Sequence, residues 1–516
     1  MSLTLSEFVK RLLDGDSSTQ GLTASLSLFR PELTICATIV ALLVMRIFFR
    51  PCANDAFVIA FGGCLIGLYY ALPGSFDTAA LGGGERTELF AGLLVYDRFT
   101  VFFRGLLLAF GLLLIVLCRL TGIPDGEDAP DFFTLMLGAT LGMCVMSLAN
   151  HLLMVFMGIE MASVPSYAMA GLLKGRRQSS EAALKYAVYG AGTAGIMLYG
   201  ISLLAGVLGT LRFPEMAVKL AALAQAGGEA GLGDSAMVLA LGGLMLMVGL
   251  AFKLSAVPFH FWCPDVFTGA SAEVNAFLSI ASKAAAFAIL IRVAVGIGYG
   301  SDPRPVVEPM KIALTSVSAE PPTPATVVRT ASREAEAAPP KPIVSSMSKE
   351  QRVATLAPVR LFMVWVLAVL AMVTCTFGNL AAYGQTNIKR MLAYSTIAHA
   401  GYMLMGVTAG VALMGRDDGL AEIAFAAVPF YLATYLFTNL VAFGSIAFLR
   451  NTLKSEDYRS YAGMIRVNPG VVICLSLALI SLVGLPPLAG FAGKCNCSSA
   501  WFRRSRSRPT SKRCWS

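Results

Sequence analysis

The sequence predicts an all-α fold, a polytopic bundle of membrane helices in which two of the helices are broken. Three observations predict it. The chain of 516 residues is 56% apolar and only 14% charged, with a mean hydropathy of +0.70, which is far from a soluble globular composition. Apolar runs of roughly eighteen residues or more recur along almost its whole length, long enough to cross a bilayer as helices. The runs are continuous rather than alternating, which argues against a β-barrel.

Taken in order, residues 1–32 are a short, partly polar lead. Twelve apolar segments follow, at 33–50, 54–73, 95–119, 131–148, 150–172, 182–208, 236–263, 271–298, 360–384, 389–414, 423–449 and 469–494. Arg46 and Arg50 close the first run and no small-residue cleavage pattern follows, so it reads as a retained span rather than a signal peptide. If the spans simply alternate, Arg46 and Arg50, then Lys174, Arg176, Arg177 and Lys185, then Lys389 and Arg390, then Arg450, Lys454 and Arg459 all fall on one side. The opposite short loops are sparse or acidic, as in Arg416-Asp417-Asp418. That asymmetry puts the basic loops in the cytoplasm and the N-terminus outside. It also accounts for most of the formal charge of +9 without invoking nucleic acid. The eleven cysteines are scattered, many in apolar runs, and read as small buried hydrophobes.

Two stretches break the pattern. Residues 301–358, with SAEPPTPATVVRTASREAEAAPPKPIVSS at their centre, are rich in Pro, Ala, Ser and charge and are expected to be disordered on the outer side. The tail CNCSSAWFRRSRSRPTSKRCWS interrupts the last apolar run after Lys494 and places an arginine cluster on the predicted outer side. A frameshifted or truncated end explains it more simply than a nucleic-acid-binding tail.

Chemistry concentrates where charge lies inside apolar segments. Lys253 and Lys283 both fall within residues 242–292, on either side of Pro258. A lysine at membrane depth is costly and ordinarily faces a bundle interior, water or a counter-charge. Proline cannot donate to the helix ladder, so Pro258 frees a carbonyl about one turn earlier. Broken helices at mid-membrane are a recurring device for stabilising ions. Lys253 is therefore the leading candidate for proton or ion transfer, against the alternative of a structural lysine reaching the interface. Glu160, in HLLMVFMGIEMASVPSYAMAG, is its expected ion-pair partner, with either a switching or a static bracing role. Lys283 could pass a proton onward, and His260 and His399 could bridge gaps, although a lone histidine in a bundle can equally be a packing residue. Gly484, Pro486, Pro487, Gly490 and Gly493 break a second helix, followed by Lys494. Lys185 could extend a polar route or simply anchor the interface. Asp97 reads as interfacial, and Asp265 and Glu273 as capping or loop residues.

FKLSAVPFHFWCPDVFTGA at 252–270, TNIKRMLAYSTIAHAGYMLMG at 386–406, EAALKYAVYGA at 181–191 and GLPPLAGFAGK at 484–494 together resemble the antiporter-like subunit N family of the proton-pumping NADH–quinone oxidoreductase. The resemblance covers most of residues 33–494. It implies a multi-pass subunit of the bacterial inner membrane that moves protons using energy from quinone reduction elsewhere in the assembly. It implies no cofactor in this subunit, the assembly using NADH, FMN, iron–sulfur clusters and quinone. Implied partners are the other membrane-arm subunits, including neighbouring antiporter-like ones, and membrane lipid, with no nucleic acid. The matched functional residues are Glu160, Lys253, Lys283 and Lys494. The resemblance also implies inverted antiporter-like repeats: three N-terminal helices within 1–130, a first repeat at 131–298, an insert at 299–359, an incomplete second repeat at 360–494 and an aberrant tail at 495–516. The polar ASAEVNAF stretch departs from the family's proline-containing pattern, and the family continues past its twelfth helix. A cation/proton antiporter subunit and a truncated structural subunit without pumping are the alternative functions.

Overall fold

The computed structural model describes residues 22–48, 53–72, 86–124, 128–173, 175–226, 233, 235–299 and 349–506. The N-terminal unit comprises α1 (Leu22–Leu28), α2 (Arg30–Phe48), α3 (Ala53–Ala71), a hairpin of β1 (Thr87–Leu89) and β2 (Leu94–Tyr96), and α4 (Arg98–Thr121). Next come α5 (Ala129–Leu148), α6 (Leu152–Ala170), α7 (Arg177–Leu208), α8 (Phe213–Ala226), α9 (Ser235–Leu254), α10 (Trp262–Gly269) and α11 (Ala272–Tyr299). The remainder is α12 (Lys349–Thr355), α13 (Ala357–Tyr383), α14 (Ile388–Leu413), α15 (Asp418–Leu453), two short 3-10 turns, α16 (Pro469–Val483) and α17 (Ala489–Arg506).

Local chemistry sets the ends of these helices. Asp97 caps α4 by accepting from Thr100 N at 2.8 Å, and Gly122 ends it in the left-handed conformation that costs glycine nothing. Asn387 and Asp417 cap α14 and α15 in the same way. Eleven described helices are long and apolar enough to cross a membrane. The twelfth predicted segment is split, because α16 stops after 15 residues and the chain resumes as α17. The predicted segment 236–263 is likewise two helices, separated at residues 255–261.

The bundle is organised around α11 and α14, the most enclosed spans, while α7 and α13 present most of their surface outward. Small residues allow the closest crossings. A Cβ on Gly142 would lie 2.5 Å from Ala162 N, and one on Gly378 would lie 2.7 Å from Ala398 N, so bulkier side chains would force α5 from α6 and α13 from α14. The basic loops do gather at one end. Arg46 pairs with Asp131, Asn451 bonds the Thr121 carbonyl, Lys185 and Arg390 both meet Asp265, and Lys389 meets Glu456. Arg50, Lys174 and Arg508 lie outside the described residues.

Several expectations change. Disorder was expected as far as residue 358, yet 349–355 form α12 and α13 begins at Ala357; residues 300–348 lie outside the described residues. The last helix was expected to stop near Lys494, yet α17 runs on to Arg506, because loss of hydropathy does not by itself remove helix propensity. Helix α8 and the β-hairpin were not anticipated. The buried residues of α8, including Phe213, Met216, Ala217, Leu220, Ala221 and Ala224, recur at helical spacing while Lys219 is exposed, the pattern of an interfacial amphipathic helix.

Candidate functional site: a chain of lysines at two helix breaks

At the first break, α9 ends at Leu254 and Ser255 turns into the left-handed region with φ of +57°. The loop is then held by contacts from outside itself. Trp262 Nε1 donates to the Phe252 carbonyl at 3.1 Å, and Val257 N donates to Thr374 Oγ1 on α13 at 3.0 Å. Proline at 258 supplies no N–H for the Leu254 carbonyl one turn earlier. Lys283, projecting from α11, takes that place: its Nζ donates to Leu254 O at 2.8 Å. Lys283 is 1% exposed, so the ammonium is held inside protein rather than at an interface.

The second break repeats the device. Pro486 and Pro487 cannot donate to the carbonyls of Leu482 and Val483, four residues earlier in each case. Lys494 Nζ donates to both, at 2.8 and 3.1 Å, and lies 4.7 Å from the centre of the Tyr402 ring. Gly484 ends α16 with φ of +84°. Gly490 is required by a close approach, since a Cβ there would fall 1.9 Å from Ser481 O. His399 lies beside the Tyr402 ring that Lys494 approaches: Tyr431 OH meets its Nδ1, and Tyr402 and Tyr435 pack around its ring. Lys283 and His399 are buried and Lys494 is half-buried, with Tyr402 packed between Lys494 and the His399 ring.

Lys253 lies at the other side of the first break, also 1% exposed. Its expected ion pair with Glu160 is not formed. Among the described residues no contact within 4 Å joins them, and Lys253 Nζ instead donates to Ser163 Oγ at 2.9 Å. Ser163 follows Glu160 by three residues on α6, so both sit on the face towards α9, but the serine is the one the ammonium reaches. Glu160 is half-buried and acts on Lys253 only at longer range. Sequence reasoning missed Ser163; its position one turn beyond the glutamate was the available signal.

The remaining candidates separate. His260 packs edge-on against Phe377, with Nδ1 unbonded among the described residues, at the rim of the first break. Lys185 is not brought to either helix break. It is 37% exposed and pairs with Glu181 and Asp265, each at 2.8 Å, tying α7 to α10 at the basic end. Asp97 is more than interfacial, because Arg292 grips both its oxygens and Thr100 Oγ1, joining α11 to α4. Burial pushes the Asp97 carboxyl up, but Arg292 and the Thr100 bonds outweigh it and hold the group below the usual carboxylate range. Glu273 is not a cap: it is fully buried and, among the described residues, neither carboxylate oxygen has a hydrogen-bond partner, while Ser271 Oγ accepts from Val274 N.

Lys389, read from sequence only as a loop residue, is buried and bonds Ala270 O at 2.8 Å and Glu456 at 2.7 Å. Glu456 also lines a polar cavity of about 510 Å³, which opens at the basic end among Arg176, Gln178, Arg450, Asn451 and Lys454. Water can therefore reach the end of α10 from that side.

Comparison with known proteins gives the arrangement a family. Residues 149–311 and 349–506 match the family described as "NADH:quinone oxidoreductase/Mrp antiporter, TM". NADH-quinone oxidoreductase subunit N of Anaeromyxobacter sp. (strain Fw109-5) is 34% identical over 481 residues, 92% of this chain and 80% of that protein. NADH-quinone oxidoreductase subunit N 2 of Sorangium cellulosum is 35% identical over 486 residues, 92% and 82% of the two chains. A chain of respiratory complex I from Thermus thermophilus superposes with a TM-score of 0.61 at 27% identity, covering 93% of this chain and 84% of that one. The Mrp complex from Dietzia sp. DQ12-45-1b, at 19% identity with a TM-score of 0.66 over 93% and 76% of the chains, shares the fold. The chain belongs to the antiporter-like membrane subunits of NADH–quinone oxidoreductase, the family that includes subunit N.

Proposed function

We propose that this chain moves protons across the bacterial inner membrane as the subunit N component of NADH–quinone oxidoreductase, with electron transfer carried out elsewhere in the assembly. The observation that carries this reading is that a lysine fills the carbonyl positions vacated by proline at each helix break, Lys283 buried at the first and Lys494 half-buried at the second, with buried His399 reached from Lys494 through the Tyr402 ring. Each ammonium is held by neutral acceptors that lose little when its proton leaves, which suits a site that alternates between charged and neutral states better than a locked ion pair does.

In this reading the polar cavity at the basic end supplies protons, and Lys283, His399 and Lys494 hand them across the seam. Lys253 is the coupling element. A movement that separates it from Glu160, or that breaks its bond to Ser163, changes the field on the ammonium and so its hold on the proton. His260 is positioned to assist at the rim of the break, and Lys185 holds α7 and α10 in register. Residues 131–298 and 360–494 are assigned as the two inverted repeats, each with one broken helix, behind an N-terminal unit at 1–130.

The test is Lys253→Ala in the complete assembly. Membrane-vesicle acidification and quinone-coupled turnover are measured alongside the amount of this subunit in the purified assembly. Acidification should fall sharply with subunit content near normal; normal acidification at normal content would remove Lys253 from the mechanism.

A further inference from the structure

A second cavity, of about 290 Å³, lies away from the lysines of the helix breaks at the seam between the first and second halves of the bundle. Its wall is formed by α7, α9, α11 and α13, with α8 closing the end opposite the basic loops. Leu208, Met216, Leu246, Leu290, Ile297 and Phe362 are representative, and all twenty lining residues are apolar. The helices on either side of its mouth turn apolar residues outward: Leu241 and Leu244 on α9, Trp365 and Val369 on α13. Both helices have the length and hydropathy of membrane spans, so the mouth opens at membrane depth rather than into water.

Charge at the closed end gives the cavity a polarity. Pro358 and Val359 line it, and the next residue, Arg360, is only 8% exposed, with Nη1 donating to Gly298 O at 3.2 Å. Arg352, 7% exposed, lies on α12, which packs between α8, α11 and α13 over the same end. Arg416 adds a third guanidinium nearby, since it follows Gly415, where an added Cβ would lie 3.3 Å from Arg360 Nη2. An apolar slot at membrane depth, ending beneath clustered arginines next to an interfacial amphipathic helix, matches the shape and charge of one kind of molecule.

We propose that this seam is a binding site for an anionic phospholipid, with one acyl chain in the cavity and the phosphate at Arg352 and Arg360. The inference does not depend on the proton-transfer reading. It has a structural consequence for it, because α9 carries Lys253 and α13 holds the first break through Thr374, so the lipid fills the space between two elements that position the lysine. Residues 300–348 leave α11 and return to α12 at the same end and are the competing occupant. A chain filling the slot from the side between α9 and α13 is favoured because the flanking surfaces are those that lipid covers.

The experiment uses the purified complete assembly reconstituted with a phospholipid carrying a photoreactive acyl chain, either phosphatidylglycerol or phosphatidylcholine, with labelled peptides identified by mass spectrometry. The expected result is labelling of α9 and α13 peptides, several-fold stronger with phosphatidylglycerol, and lost in Ala240→Phe, which fills the slot. The double variant Arg352→Gln, Arg360→Gln should keep the labelling but lose the preference for phosphatidylglycerol. Absence of label on these peptides in the wild-type assembly would overturn the proposal without reference to any variant. So would equal labelling in Ala240→Phe at normal subunit content, or no change of lipid preference in the arginine variant. A several-fold gain in labelling on deletion of 300–348 would show that this segment, not lipid, occupies the slot.

Discussion

Replacing Lys283 by methionine keeps an unbranched side chain of similar length but removes the donor to the Leu254 carbonyl. Pro258 cannot substitute for it, so a fully buried acceptor is left without a partner. A hydrogen bond from a charged donor contributes about 1.5–3 kcal/mol. That corresponds to a roughly 10- to 150-fold shift in the equilibrium between the ordered break and its opened forms. The consequence should be local, because Trp262, Val257 and Ser255 hold the same loop through bonds that do not involve Lys283. Hydrogen exchange over residues 255–261 in the purified assembly should therefore quicken by one to two orders of magnitude, while exchange in α5 and α6 stays unchanged. Vesicle acidification should be lost. Adding Pro258→Ala restores an N–H near the orphaned carbonyl and should recover most of the exchange protection, but not the acidification, because the proton carrier is still absent. Wild-type exchange rates in Lys283→Met, or acidification recovered by the double variant, would refute the assignment of Lys283 as both the partner of the break and a proton carrier.

Other consequences follow from single features. Glu32 and Arg104 form a bidentate ion pair with both side chains almost wholly buried, so Glu32→Gln or Arg104→Met alone should destabilise the subunit by about 3–5 kcal/mol. Glu32→Leu combined with Arg104→Met should be much milder in thermal unfolding, and additive losses would count against the pair. Gly490→Ala places a methyl on the Ser481 carbonyl and should cut incorporation of the subunit into the assembly more than Gly470→Ala, whose added Cβ meets nothing within 4 Å; equal incorporation would contradict the packing at the second break. Asp97 has a folded-state value below its unfolded one, so its contribution to stability is fully present above the ordinary carboxylate range near pH 4 and is lost as pH falls through the lowered value. Asp97→Asn should flatten the acid limb of a stability–pH curve measured in detergent, and an unchanged acid limb would show that Arg292 does not stabilise the ionised carboxyl.

Hydropathy and breaker residues carried most of the architecture. Span after span was legible because a helix in lipid must satisfy every backbone group internally and clothe itself in apolar side chains, which leaves a long continuous run in the sequence. The two breaks were legible because proline and glycine act locally, and the lysines because charge in such a run is rare. Partnership was a different matter. Lys253 and Glu160 looked like complementary charges, but sequence holds no information about which of two residues one turn apart an ammonium reaches; only the tertiary arrangement that carries the Lys253 side chain across to α6 selected Ser163. Lys185 read as an interfacial anchor or the extension of a polar route, and its pairing with Asp265 was decided by where α10 sits against α7. The Arg292 clamp on Asp97 spans 195 residues and the Arg104 pair with Glu32 spans 72, separations across which no local pattern operates. Sequence by itself determined what had to be buried and where the backbone had to break; tertiary structure decided which buried groups meet, because hydrogen bonds need partners within about 3 Å and that distance is set by helix packing alone.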